Sequence, residues 1–71
     1  MTEIDLHGVR VREAKEMFTS YVNRARMARE SIQVRFVTGL GDIKQNLLEL
    51  IKLYELDFYE EGTGVLIVMF E

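Results

Sequence analysis

Twice along this chain the spacing of the apolar residues changes from period two to a period of three to four. Ile4 and Leu6 alternate with polar neighbours, which is typical of a half-buried strand. From Val11 to Ala28 the apolar residues return every three or four positions, as on one face of a helix. Residues 31–38 alternate again, and residues 42–55 carry a second helical stripe. The order predicted for this part is strand, helix, strand, helix.

Two further strands follow the second helix. Gly62-Thr63-Gly64 predicts a hairpin turn between strands at 56–61 and 64–71, and the second of these is apolar on both faces, which is typical of a central strand. With right-handed crossovers both helices lie on the same side of the sheet. We therefore predict an α/β fold, specifically an α+β two-layer sandwich in βαβαββ order, with one sheet face open. The predicted bounds of the first four elements are 3–7, 11–30, 31–38 and 42–55.

The length and amino-acid composition of the chain limit the number of domains and the cellular compartment. The chain has 71 residues and no cysteine, which predicts a single domain over 1–71 and favours the reducing cytoplasm. It is interpreted as a stand-alone domain or as a fragment cut tightly around one. The apolar run at 65–70 is too short to span a membrane, so no membrane partner is expected.

Charge is divided unevenly between the two halves. Residues 1–35 carry seven Arg or Lys and five Asp or Glu, whereas residues 36–71 carry two and seven, within a net charge of −3. The net charge argues against coating nucleic acid by bulk charge. The basic groups are either a solvated helix face or a phosphate-binding patch, and the sequence favours neither. They are Arg10, Arg12, Lys15, Arg24, Arg26, Arg29 and Arg35.

Ligand sites in such sheets form outside the C-terminal ends of parallel strands, and two loops of this chain lie there. At the first, Asp5 is placed to orient the imidazole of His7 for proton transfer, although a lone histidine more often only hydrogen-bonds the chain. Asp-x-His lacks the further His or Cys of a zinc site, so no metal site is predicted.

The second loop, Thr38-Gly39-Leu40-Gly41, leads into the second helix. Asp42 is expected as its N-cap, with Gln45 completing a capping-box pair. Free N–H groups at a helix N-terminus attract phosphate, but most glycine turns before a helix only form the turn. The longer phosphate-binding and dinucleotide-binding glycine motifs are absent.

Together these segments resemble a known family. Ile4-Asp5-Leu6-His7-Gly8 is similar to the Leu-Asp-Leu-His-Gly signature of Smr (small MutS-related) domains, and Thr38-Gly39-Leu40-Gly41 to their His/Thr-Gly-x-Gly motif. Val11 and Glu13-Ala14 fit the start of the family's first helix, and residues 62–65 its glycine hairpin. The resemblance implies the βαβαββ fold, similar to the C-terminal domain of translation initiation factor three. It also implies nucleic-acid binding and, as in many members, endonuclease activity on DNA or messenger RNA.

The resemblance assigns Asp5 and His7 as active-site residues, with Gly39 and Gly41 in the loop that approaches phosphate. This chain departs from the family in having Arg10 in place of a Thr or Ser cap, Leu40 in place of a basic residue, and a shorter segment after the second motif. We expect Arg10 and Arg12 to replace the missing cation. The predicted nucleic-acid-binding set is Gly8, Arg10, Arg12, Thr38, Gly39, Gly41 and Lys44.

Three functions compete at this stage. The first is an endonuclease acting on RNA or DNA, which requires no cofactor if the RNA 2′-hydroxyl attacks, although a divalent metal such as Mg²⁺ is an alternative. The second is a module that binds nucleic acid or the ribosome without cleaving. The third is a protein-interaction domain, such as a homodimer, that uses an exposed apolar sheet face. The predicted side chains of that face are Val37, Val65, Ile67 and Met69.

Overall fold

The computed structural model describes all residues 1–71, and the predicted order of elements is confirmed. The elements are β1 (Thr2–Asp5), α1 (Val11–Ala28), β2 (Ile32–Val37), α2 (Asp42–Leu53), β3 (Asp57–Glu61) and β4 (Val65–Phe70). β1 ends at Asp5, two residues before the predicted end, so His7 lies in the following turn rather than in the strand. Neither helix is long and apolar enough to cross a membrane.

The sheet has the order β1-β2-β4-β3. β1 and β2 are parallel, with Asp5 opposite Val37, and β4 runs antiparallel to both of its neighbours. The prediction that β4 is central is confirmed. Because β2 and β3 are both antiparallel to β4, they are parallel to each other and to β1. The C-terminal ends of β1, β2 and β3 therefore share one edge of the sheet. The similarity to the domain of translation initiation factor three stays a prediction.

The core lies between the helices and one face of the sheet. Leu6 is fully buried there and Ile4 packs against the same cluster, which confirms that β1 turns these two side chains toward the helices. Three aromatic rings, Phe18 from α1, Phe36 from β2 and Phe70 from β4, meet with centroids 4.9 to 6.1 Å apart. Such aromatic contacts contribute beyond the area that they bury. The fold is therefore the predicted α+β sandwich with both helices on one face.

The start of α2 differs from the prediction. Its N-cap is Gly41, no side chain caps it, and Asp42 is the first helical residue, so the expected capping box at Asp42 and Gln45 is wrong. The backbone N–H of Gln45 instead donates to the Gly41 carbonyl. A carboxylate in the first helical turn still stabilises the helix through its dipole, which accounts for Asp42 without a cap.

The open face of the sheet is not the exposed apolar surface that the sequence predicts. Ile67 lies outside the helix-side core yet is only 1% exposed, and Val37, Val65 and Met69 are half-buried. The guanidinium of Arg35 donates to the carboxylates of Glu3 on β1 and Glu61 on β3. Since β4 lies between β2 and β3, the pair of Arg35 and Glu61 crosses over it, and this covers Ile67.

Candidate nucleic-acid interface

Two βα loops meet at the edge where the parallel strands end. The backbone N–H of Leu6 donates to the Val37 carbonyl over 2.9 Å, which extends the β1–β2 ladder up to both loops. The first loop comprises residues 6–10 and leads into α1, and the second comprises residues 38–41 and leads into α2. The predicted convergence of these two segments on one edge therefore follows from the register, and both helices begin there.

The first loop is a tight turn that presents His7 to solvent. The N–H of Val9 donates to the Leu6 carbonyl over 3.1 Å, and Gly8 has a φ of +79°, as the third residue of a type II turn requires. The Oδ1 atom of Asp5 accepts the backbone N–H of His7 at 2.9 Å. Asp5 therefore holds the main chain that carries the histidine, whereas the sequence predicted a bond to the imidazole ring.

The second loop is fastened to the β3–β4 hairpin. The N–H groups of Thr38 and Gly39 both donate to the Gly64 carbonyl, over 2.8 and 3.1 Å. The buried hydroxyl of Thr38 donates to the carbonyls of Gly39 and Gly64. Thr38, predicted to bind nucleic acid, is thus committed to holding the loop, and the N–H of Gly39 is already occupied.

Lys44 has a similar structural commitment. Its Nζ atom lies 2.8 Å from a Glu60 carboxylate oxygen and donates to the Thr63 carbonyl at 3.0 Å, with only 15% of its side chain exposed. Lys44 was predicted to contact nucleic acid, but here its charge is already paired with a carboxylate. It joins α2 to the hairpin against which the second loop rests.

Unpaired backbone donors remain at both helix starts. The N–H groups of residues 40–44 find no acceptor within the chain, and neither do those of residues 11–13 at the start of α1. Such donors, together with the positive end of each helix dipole, form a site suited to an anion. Gly41 is the N-cap of α2, and because it has no side chain it leaves these N–H groups uncovered. The exposed carboxylate of Asp42 offsets part of this positive potential.

Two exposed arginines supply positive charge close to His7 in the sequence. Arg10 is the N-cap of α1, is exposed and forms no hydrogen bond or ion pair with its side chain. Arg12 has 90% of its side chain exposed and lies 3.6 Å from Glu16, its sole ionic neighbour. Neither is held by a strong contact, so both are available to a ligand.

The edge is an open surface rather than a pocket. The concave feature that the structure does contain is a shallow groove along the outer side of α1, between residues 11 and 23, lined by one helix alone. No group of three or more His, Asp or Glu side chains is placed to hold a metal ion. A ligand at the edge would therefore be an extended anionic chain rather than an enclosed small molecule.

Sequence reasoning missed two contributions to this region. Gly64 anchors the second loop through its carbonyl, although it was interpreted only as part of a hairpin turn. The antiparallel register of β2 with β4 pairs Val37 with Val65, and this places Gly64 opposite Thr38. That register is the signal that would have identified the role of Gly64. Arg35 was counted with the phosphate-binding candidates, but it lies on the open face between Glu3 and Glu61. Its alternation with Phe36 already indicated the face away from the helices.

The fold and this edge together define a small α+β domain whose two helix starts and two free arginines suit a polyanion. The family model of the Smr domain matches residues 4–71, so the chain belongs to the Smr domain family. Smr domains are nucleic-acid-binding, nuclease-related domains. No curated protein and no solved structure matches the chain significantly.

Proposed function

We propose that this protein is an endonuclease that cleaves phosphodiester bonds of RNA or DNA at the edge shared by the two βα loops. The observation that carries the proposal is the register of β1 against β2. It supports the proposal because the His7 turn and the loop before α2 follow the paired ends of neighbouring strands, so a proton-transfer group and a row of free backbone donors share one edge of the sheet.

Two kinds of group would bind the phosphate, and a third would hold the loops that present them. The free N–H groups of residues 40–44 face the anion, as do those at the start of α1. Arg10 and Arg12 add charge and neutralise backbone phosphates without reading sequence. Thr38 and Lys44 act indirectly, because their hydrogen bonds hold the second loop and the hairpin in place.

His7 is the proton-transfer group. On RNA the 2′-oxygen attacks the adjacent phosphorus, the bond to the 5′-oxygen breaks, His7 accepts the 2′-hydroxyl proton, and water supplies a proton to the leaving oxygen. Donors aimed at the phosphate stabilise the charge that develops on it. Asp5 fixes the turn on which the histidine is carried. A Mg²⁺ ion held jointly by Asp5 and substrate phosphates is the alternative source of activation, since Mg²⁺ commonly binds this way.

A second candidate function is binding of nucleic acid without cleavage. Two observations favour it. The carboxylate of Asp5 is bonded to the His7 main chain and not to the ring. Leu40 is exposed at the tip of the second loop, so no cation projects there. Binding to a structured RNA such as that of the ribosome would use the same donors and arginines.

The two functions are separated by incubating labelled RNA and DNA of one sequence with wild-type protein, with and without EDTA. We expect cleavage by the wild type and a loss of at least about 100-fold in His7→Ala with unchanged binding, the usual size of a proton-transfer contribution. Asp5→Asn keeps an acceptor oxygen for the turn and removes the charge. Asp57→Asn, at the start of β3 on the opposite edge, is its matched control.

The outcomes distinguish the candidates. Binding without cleavage selects the second function. If EDTA abolishes cleavage, and Asp5→Asn reduces it while Asp57→Asn does not, the activation is assigned to a metal ion held with Asp5. If the wild type neither binds nor cleaves either polymer, the nucleic-acid functions are wrong for this chain and the protein-interaction hypothesis takes their place.

A further inference from the structure

Leu40 is the most conspicuous side chain of the candidate interface, because it is apolar and 73% exposed. It lies between Gly39 and Gly41, which have no side chains, so it is the one side chain at the tip of the second loop. Its own N–H and the four that follow it are the unpaired donors of the α2 start. An exposed apolar group directly beside a row of anion-binding donors fits a ligand that is charged on one side and apolar on the other.

The loop holds Leu40 in a defined place. On one side Gly39 is fastened to the Gly64 carbonyl, and the hairpin approaches so closely that a Cβ on Gly64 would meet Gly39 Cα at 3.2 Å. On the other side Gly41 starts α2 and accepts the N–H of Gln45. The backbone of Leu40 is therefore held on both sides by hydrogen-bonded neighbours, so binding of a ligand costs little backbone conformational entropy.

The reach of this side chain discriminates between nucleic-acid forms. A leucine extends only about 4 Å beyond its Cα. The grooves of a B-form duplex are about 7.5 to 8.5 Å deep, so a phosphate held by the neighbouring N–H groups keeps Leu40 away from the stacked bases. In a single strand the bases are free to rotate outward, and one of them can lie against an apolar surface.

We infer that Leu40 is a specificity-determining residue that contacts the base of an unpaired nucleotide whose phosphate lies at the start of α2. The substrate class that follows is single-stranded nucleic acid, or an unpaired loop or end, rather than continuous duplex. This inference rests on the proposed function, because it requires the phosphate to lie at that edge.

The test compares binding to three probes at one salt concentration. They are a single-stranded thymidine dodecamer of DNA, a deoxyribose phosphodiester chain of equal length with abasic sugars throughout, and a B-form DNA duplex of the same length. Leu40→Ala is expected to bind the thymidine strand about five-fold more weakly than wild type, the loss that follows when about half of a leucine's apolar surface is covered by ligand. It should bind the abasic chain and the duplex as the wild type does.

Leu53→Ala is the matched control, since Leu53 is a leucine with 70% exposure at the other end of α2. It is expected to leave all three affinities unchanged. The inference is wrong, while the proposed function stands, if Leu40→Ala loses equal affinity for the abasic and thymidine strands, or if the wild type prefers the duplex. If the wild type binds none of the probes, the inference and the proposed function fail together.

Discussion

At the scale of single residues, Gly64 links the hairpin to the candidate interface. Its carbonyl accepts the N–H groups of Thr38 and Gly39, and this bifurcated contact brings its Cα against the second loop. A Cβ on Gly64 would lie 3.2 Å from Gly39 Cα, so the backbone of the second loop would have to shift by a few tenths of an ångström to accept it. The close packing of the hairpin against the second loop therefore favours glycine at position 64.

Gly64→Ala is expected to lower the free energy of unfolding by about 1 to 2 kcal/mol, because overpacking against backbone costs this much. Denaturant unfolding measures it. Gly41→Ala is the matched control in the same region, since a Cβ there meets no atom within 4 Å and the φ of Gly41 is −97°. Equal destabilisation by the two variants would contradict the close contact.

At the scale of elements, α1 begins with an arrangement that isolated helices avoid. Arg10 is the N-cap and Arg12 lies in the first turn, where cations oppose the helix dipole. Glu13 and Glu16 moderate this cost, and Arg12 lies near the latter. A phosphate bound between these arginines and the free N–H groups would offset the unfavourable interaction of the arginines with the helix dipole.

Salt dependence tests this placement. We expect the Arg10→Ala, Arg12→Ala double variant to bind RNA more weakly than wild type. The slope of log affinity against log salt, which for the wild type should correspond to roughly two to four neutralised phosphates, should become shallower in the variant. A fluorescence-anisotropy titration over several salt concentrations provides both quantities. Arg24→Ala with Arg26→Ala is the matched control, because these arginines lie at the other end of α1 against Tyr21 and Tyr54. Identical slopes for wild type and the Arg10, Arg12 variant would remove these residues from the interface.

At the scale of the whole molecule, Arg35 joins both outer strands of the sheet to its centre. Its hydrogen bonds to Glu61 and then to Glu3 raise the pKa of the guanidinium above its already high ordinary value. A group whose pKa is raised on folding stabilises the folded state at every pH below its ordinary pKa and loses that effect only as pH rises past the raised value. The contribution of Arg35 itself is therefore constant from neutral to mildly alkaline pH.

Arg35→Ala is expected to lower the midpoint of thermal unfolding and to increase self-association, because it exposes Ile67 and the half-buried residues beside it. Analytical ultracentrifugation measures the association, and we expect a monomeric wild type. Arg12→Ala removes a largely solvent-exposed ion pair and is the control for both readouts. A wild-type dimer that Arg35→Ala leaves intact would restore the earlier prediction of a homodimer through the open face.

Local pattern was enough to predict much of this protein. The change of apolar period predicts the first four elements and the face of Leu6 and Ile4. The glycine hairpin and the apolar run at 65–70 predict the last two strands and the central position of β4, and each of these signals depends on neighbours a few residues apart. Two consecutive βα units place the Asp5–His7 turn and the Gly39–Gly41 loop at one edge through chain connectivity alone. The shared edge could therefore be predicted from local pattern, whereas the family came from the resemblance of the two motifs to those of Smr domains.

Tertiary structure alone decided which side chains of that edge are free. Thr38 and Lys44 are occupied by the β3–β4 hairpin, about 20 residues or more further along the chain, and Arg35 is occupied by Glu3 and Glu61 on the outer strands. Asp5 holds the main chain of His7, because β1 ends before the alternation of side chains reaches the histidine. These partners are selected by strand order and register, which bring distant segments together, and no local period of the sequence carries that information.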